Sequence, residues 1–329
     1  MSTARLIPDT WGLTGDDAWR TLRRTGRRRL LADAFRRLRS SDGLTHSRSL
    51  AFLVALAAIQ GVIALVGLAS AFGGSAVSGV IVNAVEGAAP GPVAALLTQA
   101  ASHAQGKGGS HHYLALALGA AGWLLTATTA MGQLERGLNR LYGVEQDRPF
   151  LQKYGQALLL AASAGVLLAA AFGLLAFGRT VSATAGNESV ARALNLGSWP
   201  VSLLLLGASI ALLFRWCPRR RQPAWSWLAF GAGVSVGLWF AITLGLGTFF
   251  HHSRDFGETY GALAGLVALL MWAFLSSVAL FFGAAVAAQL EGVRAGASSP
   301  QDGRKVESSE PDAAAPGMER ALSPSGVRT

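Results

Sequence analysis

Six arginines and one asparagine carry the most legible chemistry of this chain: Arg136, Asn139, Arg140 and Arg148 in one short polar segment, and Arg219, Arg220 and Arg221 in another. A guanidinium presents paired N–H donors in a planar fork that matches phosphate, so arginines gathered from two segments suit an anionic headgroup. Leu134, Leu138 and Leu141 recur at i, i+4 and i+7, which predicts a helix with Arg136, Asn139 and Arg140 on its other sides. Glu135 and Asn139 stand one helical turn apart and are expected to pair, and Pro149 is expected to end the helix and turn the chain. The plainer alternative is that these charges only set membrane topology.

Other chemistry is sparse. Gly233-Val-Ser235-Val-Gly237 spells a nucleophile elbow, a motif that needs a strand-to-helix turn. Here it lies inside an uncharged run, with His251 about 24 Å further along a helix. Gly233 and Gly237 read better as a packing face of small residues, as do Gly261 and Gly265. His103, His111, His112, His251 and His252 fall near helix ends on one side and are expected to be interfacial and solvated rather than metal ligands. The single cysteine, Cys217, excludes an intramolecular disulfide and a thiolate zinc site. No Gly-rich loop ending in Lys-Ser or Lys-Thr is present, so no nucleotide site and no cofactor are expected.

What positions these residues is a series of apolar runs. From Thr259 to Leu290 the chain runs 32 residues without a charge. At about 1.5 Å per residue that is roughly 48 Å of helix, more than the ~30 Å hydrocarbon core of a bilayer. Five further runs complete a set of six spans, about 49–72, 112–133, 156–178, 196–214, 226–250 and 261–290. Half of the residues are apolar, 14% are charged, and glycine reaches 40 of 329, which suits helices whose backbones approach closely. The expected fold is all-α, a polytopic integral membrane protein of six transmembrane helices.

Orientation follows from the connections. The segment before Ser49, the Leu134–Gly155 and Arg215–Gln222 loops and the tail after Leu290 hold 24 of the 28 Lys and Arg residues. By the positive-inside rule both termini are cytoplasmic. The net charge of +10 is then a topology signal and a cue for anionic lipid at the cytoplasmic face, with no nucleic acid expected as partner. No cleavable signal peptide is expected, because 48 polar, Arg-rich residues precede the first span.

Residues 1–48 form a cytoplasmic basic segment in which Leu31, Ala34, Phe35 and Leu38 give a helical apolar stripe while Arg27, Arg28, Arg29, Arg36, Arg37 and Arg39 crowd the rest. That pattern predicts a helix lying on the inner leaflet with its cationic face among lipid phosphates. Residues 292–329, rich in Ala, Ser, Pro, Gly and Glu, are expected to be a disordered cytoplasmic tail. Val77 to Val85 and Val93 to Ala104, parted by Pro90-Gly-Pro92, predict two short interfacial helices. No Asp, Glu, Lys or Arg lies at mid-depth in the spans, which argues against ion coupling. What remains there is amide and hydroxyl: Gln60, Thr126, Thr128, Thr129, Ser163, Ser209, Thr243, Ser276 and Ser277, either bonding locally or lining a mildly polar path.

Three segments together resemble the YihY/BrkB family of bacterial inner-membrane proteins. They are Arg136-Gly-Leu-Asn-Arg-Leu-Tyr142-Gly143-Val-Glu145, continuing to Arg148-Pro-Phe150; the basic Arg215 to Trp225 loop; and the last span, with Tyr260-Gly261 at its entry and Gln289-Leu-Glu291 at its exit. The resemblance covers about residues 44–294 in order. One departure is visible: where members commonly carry Tyr-Phe and then Pro in the first span, this chain has Leu50-Ala-Phe52 and Gln60. The resemblance implies a multi-pass protein of the bacterial plasma (inner) membrane, a transporter or flippase-like role for a lipid or lipid-linked envelope precursor, and a ribonuclease label. The alternative is a non-transporting scaffold or envelope-integrity protein that binds anionic lipid or cytoplasmic partners. A homo-oligomer stays open under either reading. The residues disfavour the ribonuclease label and enzymatic activity generally. Glu135, Glu145, Asp147 and Glu291, with His46, are too few to hold cations beside a scissile phosphate.

Overall fold

In hydrocarbon a backbone amide finds no water, so a long uncharged run satisfies itself by coiling into a helix. The computed structural model describes residues 3–10, 12–72, 74–104, 111–184, 188–253 and 263–301, and within them the protein is all-α. Two short helices, α1 (Gly15–Thr25) and α2 (Arg27–Ser40), precede the long α3 (Gly43–Phe72). The pair α4 (Gly74–Ala88) and α5 (Gly91–Ala104) follows, broken at Pro90 where the sequence predicts a break. Then come α6 (His111–Leu141), α7 (Phe150–Thr184), α8 (Glu188–Trp216), α9 (Trp225–His252) and α10 (Ala264–Arg294).

Five stretches are long and apolar enough to cross a membrane: Gly43–Ala69, Phe150–Ala176, Leu196–Trp216, Trp225–His252 and Ala264–Arg294. The expected 112–133 span falls on α6, whose glycines, threonines and polar Gln133–Arg140 end dilute its apolar character. It nevertheless runs antiparallel along α3. A Cβ at Gly119 would lie 2.8 Å from the Ala64 nitrogen, one at Gly67 2.9 Å from the Leu116 nitrogen and one at Gly61 3.1 Å from the Trp123 ring. Glycine is what permits that approach. The Thr126 hydroxyl donates to Gln60 Oε1 at 2.8 Å across the same seam.

Large apolar side chains point outward along the bundle, among them Leu118, Leu125, Leu159 and Leu204. In water such a belt would be an aggregation surface; against acyl chains it is unremarkable packing. The interior divides in two. One core, with Leu134, Leu138, Leu141, Phe214, Trp227 and Phe281, fills the end where the arginines collect. A smaller one, with Val62, Val66, Val93, Leu97 and Leu269, lies under α5 at the end that holds His251 and His252.

Two expectations need correction. Among the described residues Gly233 and Gly237 pack against nothing: a Cβ at either meets no atom of them within 4 Å. The α9–α10 contact is made instead by Gly231 and Gly283, where a Cβ on Gly231 would come within 2.7 Å of the Gly283 carbonyl oxygen. Ser235 lies one turn from Gly231 on that buried face, bonded to the Leu280 carbonyl at 3.4 Å. Gly233 and Gly237 lie about 200° away around the helix. Gly265 does pack, with a Cβ 2.9 Å from Leu96 of α5, whereas Gly261 and Tyr260 lie outside the described residues.

The second correction is the N-terminal segment. α2 docks on the bundle through Leu30, Ala34, Arg37 and Leu38, all buried, and leaves Leu31 and Phe35 outward. α1 is fixed by a Thr14–Asp17 capping box, by Gly15 N–H donating to Ser226 Oγ at 2.9 Å, and by an Arg294–Asp17 ion pair at 3.3 Å. The start of the tail folds back as well, Gln289 Nε2 donating to the Ser298 carbonyl at 2.7 Å and Ala4 bridging to Gln301. Residues 302–329 of the expected disordered tail lie outside the described residues.

Candidate functional site

The arginine-rich end is assembled from seven pieces of chain: residues 3–10, α2, the end of α6, the α6–α7 loop, the start of α7, the α8–α9 loop and the end of α10. Its centre is an ion pair. Arg220 Nη2 donates to Glu291 Oε1 at 2.6 Å and Nη1 to Oε2 at 3.2 Å, the two-pronged geometry that guanidinium and carboxylate favour. The Arg220 guanidinium also lies 4.5 Å over the Tyr142 ring and donates to Asp9 and to the Pro8 carbonyl. Thr10 donates its hydroxyl to Glu291. Burial alone would lower the affinity of Arg220 for its proton, but Glu291 and Tyr142 outweigh it and hold the group above its ordinary value. Burial likewise pushes the Tyr142 hydroxyl up, keeping it neutral.

Beside this pair lies Arg37, wholly buried. Its Nε donates to Gln289 Oε1 at 2.8 Å, and its Nη1 to the carbonyls of Arg5 and Leu141 at 3.1 and 3.0 Å. Burial pulls its pKa down to about 10, which leaves it charged at neutral pH. Sequence reasoning placed Arg37 on the lipid-facing cationic surface. The signal against that was its register, since Leu30, Ala34, Arg37 and Leu38 share one helical face.

The predicted headgroup residues are mostly tied into the same scaffold. Asn139 does not pair with Glu135; its Oδ1 accepts from the Arg219 backbone N–H at 2.7 Å and its Nδ2 donates to Asp147 at 3.3 Å. Glu135 instead faces Arg148 at 3.0 Å, while Arg148 also donates to the Cys217 and Pro218 carbonyls. Arg136 and Lys153 flank Asp147 at 3.4 and 3.5 Å. Burial of Asp147 opposes ionisation, but the Asn139 bond and then Lys153, Arg140 and Arg136 hold its carboxyl below the usual range. Arg140 donates to the Val144 carbonyl and Arg219 to the Asp147 carbonyl. Arg221 is exposed.

The Arg136–Glu145 motif is therefore a junction. Gly137 makes room for Phe281, since a Cβ there would sit 2.5 Å from the ring. Gly143, at φ +76°, takes the left-handed conformation that ends α6 while the Leu6 backbone crosses against it. Pro149 leads into α7, its carbonyl accepting the Lys153 N–H.

The hydroxyls in the spans are dispersed, and several are satisfied within their own helix: Thr129 on Leu125, Ser163 on Leu159 and Ser277 on Ala273. Two side chains at the histidine end donate within their own helices as well, His103 and His252 bonding the carbonyls one turn back. The side chains of His111 and His112 lie outside the described residues. Among the described residues no group of three or more His, Cys, Asp or Glu is placed to hold a metal ion.

A cavity of about 660 Å³ opens between α7, α8, α9 and the α4–α5 turn, which sequence reasoning did not foresee. Phe172, Leu206, Trp199 and Trp239 wall it, and His251 and His252 stand at one end. Ser202 lines it with a buried hydroxyl that has no hydrogen-bond partner among the described residues.

An all-α bundle with five membrane-length apolar helices defines a polytopic membrane protein. Residues 34–308 match the family model described as Virulence factor BrkB, and the chain belongs to that family. Among its relatives is a UPF0761 membrane protein of Halorhodospira halophila (strain DSM 244 / SL1), 28% identical over 54% of this chain and 39% of the relative. Another UPF0761 membrane protein, from Verminephrobacter eiseniae (strain EF01-2), is 28% identical over 89% of this chain and 67% of its own length. YfkH of Bacillus subtilis (strain 168), which carries a provisional ribonuclease-like name, is 24% identical over 53% of this chain and 65% of its own. The matched region thus spans less than two thirds of the first of these and of YfkH. No solved structure matches the chain.

Proposed function

We propose that the protein moves a membrane lipid or lipid-linked envelope precursor across the bacterial plasma membrane, with six spans and both termini cytoplasmic. The observation that carries this reading is the cavity between α7, α8 and α9. Its aromatic and aliphatic walls suit acyl or isoprenoid chains, the Ser202 hydroxyl offers a polar contact deeper within, and the two imidazoles stand at the end that the sequence charge pattern predicts to be the outer face. The α3–α6 seam supports six spans, because α6 lies alongside a membrane-length helix over matching depth. The competing scaffold reading draws on one observation, that most arginines at the other end are tied to carboxylates or carbonyls within the protein. The ribonuclease-like name belongs to YfkH; we propose no enzymatic activity here.

The test is purified protein in liposomes carrying a fluorescent lipid and a leaflet-specific quencher. Protein-dependent access of inner-leaflet lipid to the quencher is expected. Gly247 lines the cavity, and among the described residues a Cβ there meets nothing within 4 Å, so Gly247→Phe places its side chain in the open space. That variant should insert normally and move lipid about tenfold more slowly, roughly 1.4 kcal/mol on the barrier. No transfer across a broad lipid panel, or an unaffected Gly247→Phe, would sink the proposal.

A further inference from the structure

The arginine-rich end holds a second recess, of about 470 Å³, bordered by Arg148, Arg215, Arg221 and Gln222. Two of its other lining residues, Gln156 and Trp216, also line an open groove of about 570 Å³ between α7 and α8, whose remaining walls are Leu159, Leu160, Ser163 and Leu212. Gln156 Nε2 donates to the Trp216 carbonyl at 2.5 Å, so the boundary between recess and groove is a fixed contact between the start of α7 and the end of α8. A charged chamber that continues directly into an apolar channel has the shape of one molecule, a polar head with a chain attached.

The charge of the recess is only half compensated. Arg148 faces Glu135 and Arg220 faces Glu291, but Arg215 and Arg221 have no carboxylate within 4 Å among the described residues. Arg215 is held by the carbonyls of Gln222 and Pro223 and lies 5.6 Å over the Trp225 ring. Those contacts fix its position without cancelling its charge. Gln222 is 5% exposed, and its side-chain amide approaches the Tyr142 hydroxyl without a well-formed hydrogen bond, leaving donor and acceptor for a ligand or water. The groove is the reverse. Leu159 is 71% exposed, and the one hydroxyl, on Ser163, already donates to the Leu159 carbonyl at 2.8 Å, so the wall is dry. From Gln156 to Ser163 the helix rises about 10 Å, enough to take the upper part of an acyl chain below a headgroup at the interface.

We infer that this is a binding site for an anionic glycerophospholipid of the leaflet at the arginine-rich end, its phosphate among Arg215, Arg221 and Gln222 and one acyl chain against Leu159, Leu160 and Leu212. The site does not depend on the protein moving lipid, and its test reads binding alone. Full-length protein is released from mixed micelles containing phosphatidylglycerol and phosphatidylcholine of equal chain length, and retained lipid is counted by native mass spectrometry, with inorganic phosphate and glycerol phosphate as competitors. Phosphatidylglycerol should be retained about tenfold over phosphatidylcholine, because both present the phosphate but the choline cation is repelled by the arginine charge that no carboxylate balances. Neither soluble phosphate should displace it at equal concentration. Arg221→Gln, a change at an exposed side chain, should erase the preference while leaving the thermal midpoint unchanged. Ser163→Phe, which narrows the groove, should weaken both lipids. Equal retention of the two lipids, or an Arg221→Gln variant that keeps its preference, overturns the inference. Displacement by inorganic phosphate alone overturns the lipid assignment and leaves a free-anion recess.

Discussion

A carboxylate at the C-terminal end of an apolar helix invites a functional reading, and in the sequence Glu291 stands out as the point where charge resumes after a long silence. Its surroundings give it a structural role. It is wholly buried, held by both prongs of Arg220, with the buried Arg37 next to it on Gln289. The favourable Coulomb energy of such a pair is largely offset by the desolvation of both ions, but removing one partner strands the other. Glu291→Gln leaves the buried Arg220 and Arg37 with only the half-exposed Asp9 as counter-charge, and a loss of about 3 kcal/mol is expected, seen as a lower thermal midpoint in detergent. Adding Arg220→Met should restore part of that loss, whereas additive losses would show that the pair does not act as a unit. The sequence displayed the members of this network, Arg220, Tyr142, Asn139 and Glu291, but not their partnerships. Residues 71 positions apart meet only once the helices between them are placed, so the arginines looked free for phosphate when most are engaged.

Apolar runs announce helices in lipid with little ambiguity, because length and absence of charge are sufficient signals. Hence the long helices fall where the sequence predicts them, and some of their ends do not. α3 begins at Gly43 instead of Ser49 and α10 continues to Arg294, since a charge that finds a partner need not end a helix. Helix faces were less legible than helices. The string Gly233-Val-Ser235-Val-Gly237 drew attention to the glycines, whereas the period of 3.6 puts Ser235 and Gly231 together on the face that meets Gly283. Gly283→Leu should therefore prevent α9 and α10 from closing, because its Cβ would overlap Ser235 Oγ and the Gly231 carbonyl oxygen. Gly237→Ala, with nothing within 4 Å, should be neutral or stabilising by about 0.5–1 kcal/mol through helix propensity. Yield of monodisperse protein and thermal midpoint separate the two, and equal damage from both would refute this assignment of the packing face. α2 was misjudged for a related reason: an arginine in the buried register looks cationic in the sequence and becomes a core residue only when carbonyls and Gln289 are there to receive it.

For the whole molecule, the number of crossings decides how the two ends relate. Five stretches carry an unambiguous membrane signal, and an odd number would put the termini on opposite sides. The proposal of six crossings draws instead on the arginine end, where residues 3–10, the α6–α7 loop, the α8–α9 loop and the end of α10 meet in one network of hydrogen bonds. Such a network needs α6 to return the chain to that end after α3 has left it. Cysteine accessibility tests this with little background: Cys217 is the only native cysteine, it is buried, and burial pushes its thiol far above the ordinary range, so it should resist a maleimide. Exposed positions are available at both ends, Asp16, Gln146 and Gln301 at the arginine end and Ser102 and His252 at the other. With six crossings, cysteines at Ser102 and His252 should react with an impermeant maleimide in intact cells, and those at Asp16, Gln146 and Gln301 only after permeabilisation. Labelling of Ser102 and Gln146 from the same side would mean that α6 does not cross, and the assignment of a cytoplasmic arginine end and an outward-facing cavity would fall with it.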